Sequence, residues 1–321
     1  MIQNKRILIT GGAGFIGTKL CEKLAEDNEI LVYDNFWRNS LKNSKVLSKV
    51  KIIKGDILEY SKLTITIEHF KPNIVIHLAA IAGVDTVIKY PIKTLQINII
   101  GTYNLFEAVK GLKLDRFLNF STSEIFGSYA YKVDDDAQSS LATVGEARWT
   151  YSVSKLSGEH FAYAYHKEYG VPIVNIRPFN VYGPGQVGEG AIHTFVARAL
   201  KNEDLIIHGD GDQIRSWCYI DDFIDGVLLC IKKEEAIGRA FNIGNPKGTT
   251  TIVMLAKLIK SLANSNSRIV YVPKPYVDVE LRIPSIEKAK KILGYNPKVD
   301  LEDGIKRTIE WYRIFLDSAE N

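Results

Sequence analysis

The stretch Arg6-Ile7-Leu8-Ile9-Thr10-Gly11-Gly12-Ala13-Gly14-Phe15-Ile16-Gly17 decides how the rest of the chain is read. Arg6 to Thr10 is a short apolar, β-branched run, which predicts a buried strand. From Phe15 to Asp27 the spacing changes, and Ile16, Leu20 and Leu24 fall on one face of a helix. Glycines at 11, 14 and 17 stand between the two. Lacking side chains, they permit a tight turn and let an anion come close to the free N–H groups of a helix N-terminus. Strand, glycine triplet and helix in that order predict a seat for the pyrophosphate of a dinucleotide. Asp34 follows the next strand-like run, Glu29 to Tyr33, and lies 20 residues beyond Gly14. A carboxylate there accepts hydrogen bonds from an adenosine ribose and repels a 2′-phosphate, so NAD is expected in preference to NADP. Arg38 could favour a phosphate and is the residue that argues against this choice. Gly55-Asp56-Ile57, after a third strand, has the position of an adenine-edge contact.

Outward from this unit, apolar runs continue to alternate with helical patterns. Val50–Lys54, Asn73–Leu78, Arg116–Phe120 and Ile173–Arg177 read as further strands. Continuous β-branched runs divided by helices predict an α/β fold with a doubly wound parallel sheet covered on both faces and right-handed crossovers. Beyond Pro178 the pattern loosens. Helices are expected at 192–202, 221–233, 251–263, 285–293 and 301–315, and a strand at Ala240–Ile243 returning to the main sheet. The expected division is a dinucleotide-binding domain over 1–177, rejoined by 219–246, and a smaller, mostly C-terminal substrate-binding lobe from 178–218 and 247–321.

Composition narrows the function classes. Of 321 residues, 46% are apolar and 24% charged, with a net charge of only +4. That profile predicts a soluble globular protein and offers no basic patch for nucleic acid or a membrane surface. No apolar run reaches membrane-spanning length, and no secretory leader pattern opens the chain. Three cysteines, Cys21, Cys218 and Cys230, lack metal-ligand spacing. They suggest a reducing, cytoplasmic setting, and no metal is expected.

The chemistry is expected at Tyr151-Ser152-Val153-Ser154-Lys155. On a helix, a Lys four residues after a Tyr lies one turn away on the same face, where its ammonium favours the phenolate. Such a phenolate can take a proton from a hydroxyl while hydride leaves for a nicotinamide. Ser121-Thr122-Ser123-Glu124 follows a strand, at the end of a parallel sheet where ligands bind. Its hydroxyls can hydrogen-bond the same substrate oxygen, and Glu124 adds an acid or base that simple alcohol oxidation does not need.

Several longer motifs then make a family visible. The chain resembles the extended short-chain dehydrogenase/reductases that act as NAD-dependent nucleotide-sugar epimerases, dehydratases and decarboxylases. The resemblance spans nearly all of it: TGGAGFIG at 10–17, HLAA at 77–80, STSEIFG at 121–127, YSVSK at 151–155, RPFNVYGPG at 177–185, GDGDQIRSWCYIDD at 209–222, FNIGNP at 241–246 and RIPSIEKAKKILGYNP at 282–297. It implies a Rossmann-like fold with NAD held by Gly11, Gly14, Phe15, Ile16, Gly17, Asp34, Asp56, Ile57, Leu78, Ala79, Ala80 and Ser121. It also implies that Lys155 reaches the nicotinamide ribose beside Tyr151, that Thr122 shares the substrate hydroxyl, and that Asn180 holds the sugar or its phosphate. Arg215 and Arg282 match arginines that grip a diphosphate. Helices over 94–110 and 151–169 imply a homodimer.

Members of this family oxidise the sugar at carbon 4 and then diverge. The Thr122-Ser123-Glu124 order resembles GDP-mannose 4,6-dehydratases, with Ser123 where dTDP-glucose 4,6-dehydratases carry Asp. The same order occurs in UDP-glucuronate decarboxylases. Those usually carry an acidic residue and Gly after the Tyr and Gly-Pro-Arg where Gly183-Pro184-Gly185 stands here, although the tail around Arg282 is similar to theirs. The sequence therefore leads to a 4,6-dehydratase acting on a UDP-sugar, UDP-N-acetylglucosamine first, with Glu124 as base and acid. Decarboxylation, 4-epimerisation and a non-enzymatic NAD-binding scaffold stand as alternatives. Segment 127–149, including Val144 to Trp149, departs from the family loop and either lines the sugar pocket or forms a solvated loop.

Overall fold

The computed structural model describes residues 2–274 and 276–319, without side-chain detail at 316–319. Its strands are β1 Arg6–Thr10, β2 Glu29–Asp34, β3 Lys51–Lys54, β4 Ile74–His77, β5 Arg116–Phe120, β6 Tyr129–Val133, β7 Ile173–Pro178, β8 Val181–Tyr182, β9 Leu205–His208, β10 Ile214–Ser216, β11 Cys218–Tyr219, β12 Arg239–Ile243, β13 Thr249–Thr251, β14 Ile269–Val272 and β15 Leu281–Pro284. Its α-helices are α1 Phe15–Leu24, α2 Tyr60–Phe70, α3 Val84–Lys89, α4 Pro91–Leu95, α5 Thr102–Val109, α6 Ala147–Tyr169, α7 Ala191–Leu200, α8 Ile220–Lys232, α9 Ile252–Leu262 and α10 Leu301–Ala319.

Seven strands form one parallel sheet in the order β12-β7-β5-β4-β1-β2-β3. The central strands β1, β4 and β5 are apolar enough to be covered on both faces, and Ile7, Ile9, Val75, Ile76 and Leu118 are fully buried. Lys51-Ile52-Ile53-Lys54 is charged at both ends and sits at the edge as β3. At the other edge β12 runs parallel to β7, so Ala240–Ile243 does return to the main sheet. The expected helix over 285–293 is present as residues 287–293, directly after β15 at Leu281–Pro284 and a two-residue link.

Two features fix the sheet's carboxyl edge, where the site lies. His77 is buried at the end of β4, with Nδ1 2.8 Å from Thr10 Oγ1 and Nε2 2.9 Å from Thr102 Oγ1. The Thr102 hydroxyl donates to the Asn98 carbonyl at 2.6 Å, so its oxygen accepts from His77 Nε2–H, and Nδ1 accepts from Thr10. Burial depresses the imidazole to about 3, which keeps it a neutral strut. The long helix α6 is tied to β7 by a fork-to-fork pair, Arg177 Nε and Nη2 to the two Glu159 oxygens at 2.8 and 2.6 Å.

A second sheet, β13-β10-β15-β6, takes β6 from within the first half and its other strands from the last third of the chain. In it β10 and β15 run parallel with Arg215 opposite Arg282. Helices α7, α9 and α10 pack on one another nearby. Among the described residues no helix is long and apolar enough to cross a membrane, and the three cysteines are free and buried.

Candidate active site

The glycine turn is built as its spacing demands. Gly11 has φ +70°, and a Cβ there would stand 2.5 Å from the Ala79 nitrogen. At Gly17 a Cβ would stand 2.5 Å from Gly12 Cα, so only glycine lets α1 start this close to the turn. No side chain caps α1, which begins after Gly14. A cavity of about 380 Å³ opens over this helix start and is lined by Gly11, Gly14, Phe15, Ile16 and Gly17. Asp34, Asp56 and Ile57 form one end of its wall, and Leu78, Ala79 and Ala80 its side. Ser121, Thr122 and Tyr151 line it too. The structure thus gathers onto one cleft nearly every residue expected to hold the cofactor.

The groups present fit a dinucleotide. Asp34 is held in place by N–H groups of Ala13 at 2.9 Å and Phe36 at 2.6 Å, which ties the ribose-side carboxylate to the glycine turn. Ser121 Oγ is buried without a partner on the same cleft. Arg38 lines the cleft but turns to Thr86 Oγ1 at 3.2 Å and Glu189 at 3.5 Å. Glu189 itself accepts from the Thr86 N–H at 3.0 Å and hydroxyl at 2.6 Å and from the Asp85 N–H at 3.0 Å, strapping loop 183–190 across the cleft to the start of α3. Nothing in the reading of the sequence had singled out Glu189.

Tyr151 lies in the second turn of α6 and Lys155 one turn further on. Burial pushes the Tyr151 phenol above its ordinary value, and the Glu124 charge adds to this, while a hydrogen bond with Thr122 and the Arg38 charge pull it down. The groups that pull the phenol down are thus Thr122 and Arg38 and not the expected Lys155, and burial outweighs both in the protein alone. Lys155 is itself depressed to about 8, by burial, with Glu159 acting in the opposite sense. Thr122 starts the short helical turn after β5, and its Oγ1 accepts from the Glu124 N–H at 3.2 Å. Ser123 is buried within that turn.

The remaining expected residues form a separate, charged cluster behind Thr122. Glu124 Oε1 meets Arg148 Nη1 at 2.8 Å and Arg282 Nη1 at 3.1 Å. Arg148 Nη2 continues to Asp278 at 2.7 Å, and Asp278 also pairs with Arg215 at 3.2 Å. Burial pushes Glu124 up, but Arg282, Arg148 and Arg215 outweigh it and hold the carboxyl below the usual carboxylate range. Its second oxygen, Oε2, is buried without a partner, as is Arg282 Nε. Arg215 and Arg282 are thus engaged by protein groups, and Asn180 donates its amide to the Ser216 carbonyl at 2.9 Å. Asp278 gave no signal in the sequence, whereas Arg148 lay in the divergent segment before α6. Among the described residues no group of His, Cys, Asp or Glu is arranged to hold a metal.

A parallel sheet with a dinucleotide cleft at its carboxyl edge and a Tyr–Lys helix beside it define a dinucleotide-binding fold of the dehydrogenase type. The chain belongs to the NAD dependent epimerase/dehydratase family, whose model matches residues 7–244. It is 35% identical to UDP-glucuronic acid decarboxylase 3 of Arabidopsis thaliana, over 99% of this chain and 92% of that one. It is 33% identical to human dTDP-D-glucose 4,6-dehydratase, again over 99% and 92%. Among solved structures it is similar to the UDP-glucuronic acid 4-epimerase of Bacillus cereus bound to UDP-glucuronic acid and NAD, with TM-score 0.86, 32% identity and coverage of 97% and 99%.

Proposed function

We propose that this enzyme is an NAD-dependent decarboxylase of a UDP-hexuronate such as UDP-glucuronate. The observation that carries this reading is the charge balance behind Thr122. Among the described residues Arg148, Arg215 and Arg282 form ion pairs with Glu124 and Asp278 alone, and Glu280, whose charge also acts on Arg215, is paired with Lys274, so the largely buried cluster holds one positive charge in surplus. Uncompensated buried charge is costly, and a substrate that brings one more carboxylate beside carbon 5 removes the cost. The hydroxymethyl group of a neutral hexose does not.

The chemistry follows from the neighbours. NAD, when bound in the cleft, supplies the acceptor and later the donor of hydride. Tyr151 takes the proton from the 4-hydroxyl as the carbon-4 hydride leaves, and Thr122 holds the same oxygen. The bond between carbons 5 and 6 then breaks, carbon dioxide leaves, and the electron pair is delocalised into the 4-ketone. Carbon 5 takes up a proton from water, and Tyr151 returns its proton to oxygen 4 as hydride comes back. Glu124, held ionised by the guanidiniums beside it, keeps the cluster ordered next to Thr122.

A second reading is the 4,6-dehydratase with UDP-N-acetylglucosamine as substrate. It is favoured by the unpartnered Glu124 Oε2, a base within the turn that carries Thr122. Dehydration also needs that carboxyl to give a proton back, which its guanidinium partners oppose. Incubation of the NAD-loaded protein with UDP-glucuronate and with UDP-N-acetylglucosamine, followed by mass spectrometry, separates the two. Loss of carbon dioxide from the first is the expected result. Loss of water from the second turns the assignment to dehydration, and an isomer of unchanged mass would sink both. The exposed apolar residues Ile92, Ile100, Tyr103 and Tyr163 on the helices over 91–109 and on α6 support a homodimer, which light scattering in solution tests.

A further inference from the structure

The three arginines of the cluster are not held alike. Arg215 donates to two main-chain carbonyls, Val279 and Ile214, as well as to Asp278. Arg282 donates to the Gly127 carbonyl and lies 1% exposed, in register with Arg215 between two strands. Both are pinned to the backbone of the second sheet. Arg148 stands in the first turn of α6, three residues before Tyr151, and its two close partners are both carboxylates, Glu124 and Asp278. Its one main-chain contact, Nε to the Val277 carbonyl, is 3.4 Å long.

Its two acidic partners also differ. Glu124 sits beside Thr122 and is shared with fully buried Arg282. Asp278 lies in the stretch before β15 and keeps other partners, Arg215 at 3.2 Å and the Val279 N–H at 2.7 Å. If Arg148 lets go of Asp278, that carboxylate is left paired and hydrogen-bonded. The reverse exchange, losing Glu124, would leave Glu124 with a single guanidinium at 3.1 Å in a tighter site. The bond from Arg148 to Asp278 is thus one that a new anion can replace without stranding a charge, and, unlike Arg215, Arg148 is not pinned to main-chain carbonyls at short range.

We propose that Arg148 is a specificity-determining residue that exchanges Asp278 for the carboxylate of a hexuronate, and so selects UDP-hexuronates over neutral UDP-hexoses. The proposal rests on the substrate class assigned above and not on the bond-breaking step. A carboxylate presents two oxygens to a guanidinium fork, a geometry that a hydroxymethyl group cannot match. The position fits, since one helical turn of α6 carries both the arginine and the phenol that meets oxygen 4.

Binding measured by calorimetry on the NAD-loaded, full-length Tyr151→Phe protein tests this without turnover. UDP, UDP-glucose and UDP-glucuronate are compared, alone and with Arg148→Gln, Arg148→Lys or Asp278→Asn added. The expected pattern is a UDP-glucuronate affinity about tenfold or more above that of UDP-glucose, worth a single charged fork. Arg148→Gln should bring the two sugars level and leave UDP unchanged. Arg148→Lys should restore part of the difference, and Asp278→Asn, which removes the competing anion, should widen it. A protein with no preference for the uronate overturns the proposal, as does an Arg148→Gln loss shared equally by UDP, which would make Arg148 a diphosphate contact. Should Arg148→Gln not fold, the lysine and Asp278→Asn variants decide alone, and an unchanged sugar ratio in both overturns it. Selective uronate binding combined with a 4-epimer as product from the Tyr151-intact enzyme would refute decarboxylation and leave this selection standing.

Discussion

The cofactor cleft and the acid–arginine cluster adjoin each other at Thr122 yet are built by opposite means. The cofactor end of the cleft is shaped mainly by backbone: a glycine turn, an uncapped helix start and strand ends from the first half of the chain, with loop 183–190 strapped across by Glu189. The cluster is shaped by charged side chains from four separated places, the turn after β5, the start of α6, β10, and the stretch into β15. Backbone shape serves the NAD that the family shares, and in the function proposed here side-chain charge serves the part of the substrate that differs. On that proposal the first half of the reaction is generic and the second half is set by a few exchangeable ion pairs.

That contrast can be broken in graded ways. The largest effect is expected at Tyr151, where the two regions meet. Tyr151→Phe should lower turnover by about three orders of magnitude, in the range of a lost general base, while fluorescence titration finds NADH binding unchanged. Next comes Glu124→Gln, which leaves Arg148 and Arg282 facing each other without their carboxylate. It should cost about 3 kcal/mol of stability in denaturant melts, less than for a fully buried pair since 19% of the Glu124 side chain is exposed, and spare the NADH affinity. Gly17→Ala should do the opposite. Its methyl group would press on the Gly12 backbone, so NADH affinity should fall roughly 10- to 100-fold, an overpacking cost of about 1–3 kcal/mol. If Gly17→Ala binds NADH normally, the cleft is not the backbone-built site described.

The smallest effect concerns Lys155, buried and depressed to about 8 from an ordinary 10.5. Below pH 8 both folded and unfolded chains carry its proton, and the folded one bears the full cost of the buried charge. Between about 8 and 10.5 the folded protein has already released the proton that the unfolded chain keeps, so wild-type stability from this group rises with pH. Lys155→Met, inactive in turnover, should therefore melt higher than wild type at pH 7, by roughly 1–2 kcal/mol, and the gap should close toward pH 10. A gap that widens with pH would show that the lysine is stabilised where it sits.

Much of the first region was legible in the chain. Strand, glycine triplet, helix and Asp34 lie within a span of local contacts, and each residue type is forced by geometry that neighbours in sequence create. The Tyr151 and Lys155 pair was legible for the same reason, one helical turn being a local fact. The raised phenol was not legible, because burial is set by everything packed around α6 and outweighs the downward pull of Thr122 and Arg38 in the protein alone. Arg215 and Arg282 were found as motif arginines, but their partners were not. Their side-by-side placement comes from parallel pairing of strands 67 positions apart, a relation that periodicity does not record. Arg148 was visible only as part of a divergent segment, and Asp278 not at all.

By itself, then, the sequence determined the α/β layering, the dinucleotide seat and the placing of Tyr151 and Lys155 one turn apart on a helix, because hydrophobic period, glycine conformations and helical spacing act over a few residues. Tertiary structure alone decided that Glu124 is clamped between Arg148 and Arg282, and that Asp278 and Arg215 complete the cluster with one charge to spare. Coulomb forces between buried groups depend on distance in space and on exclusion of water, and both exist only once the second sheet has closed against the turn that carries Glu124.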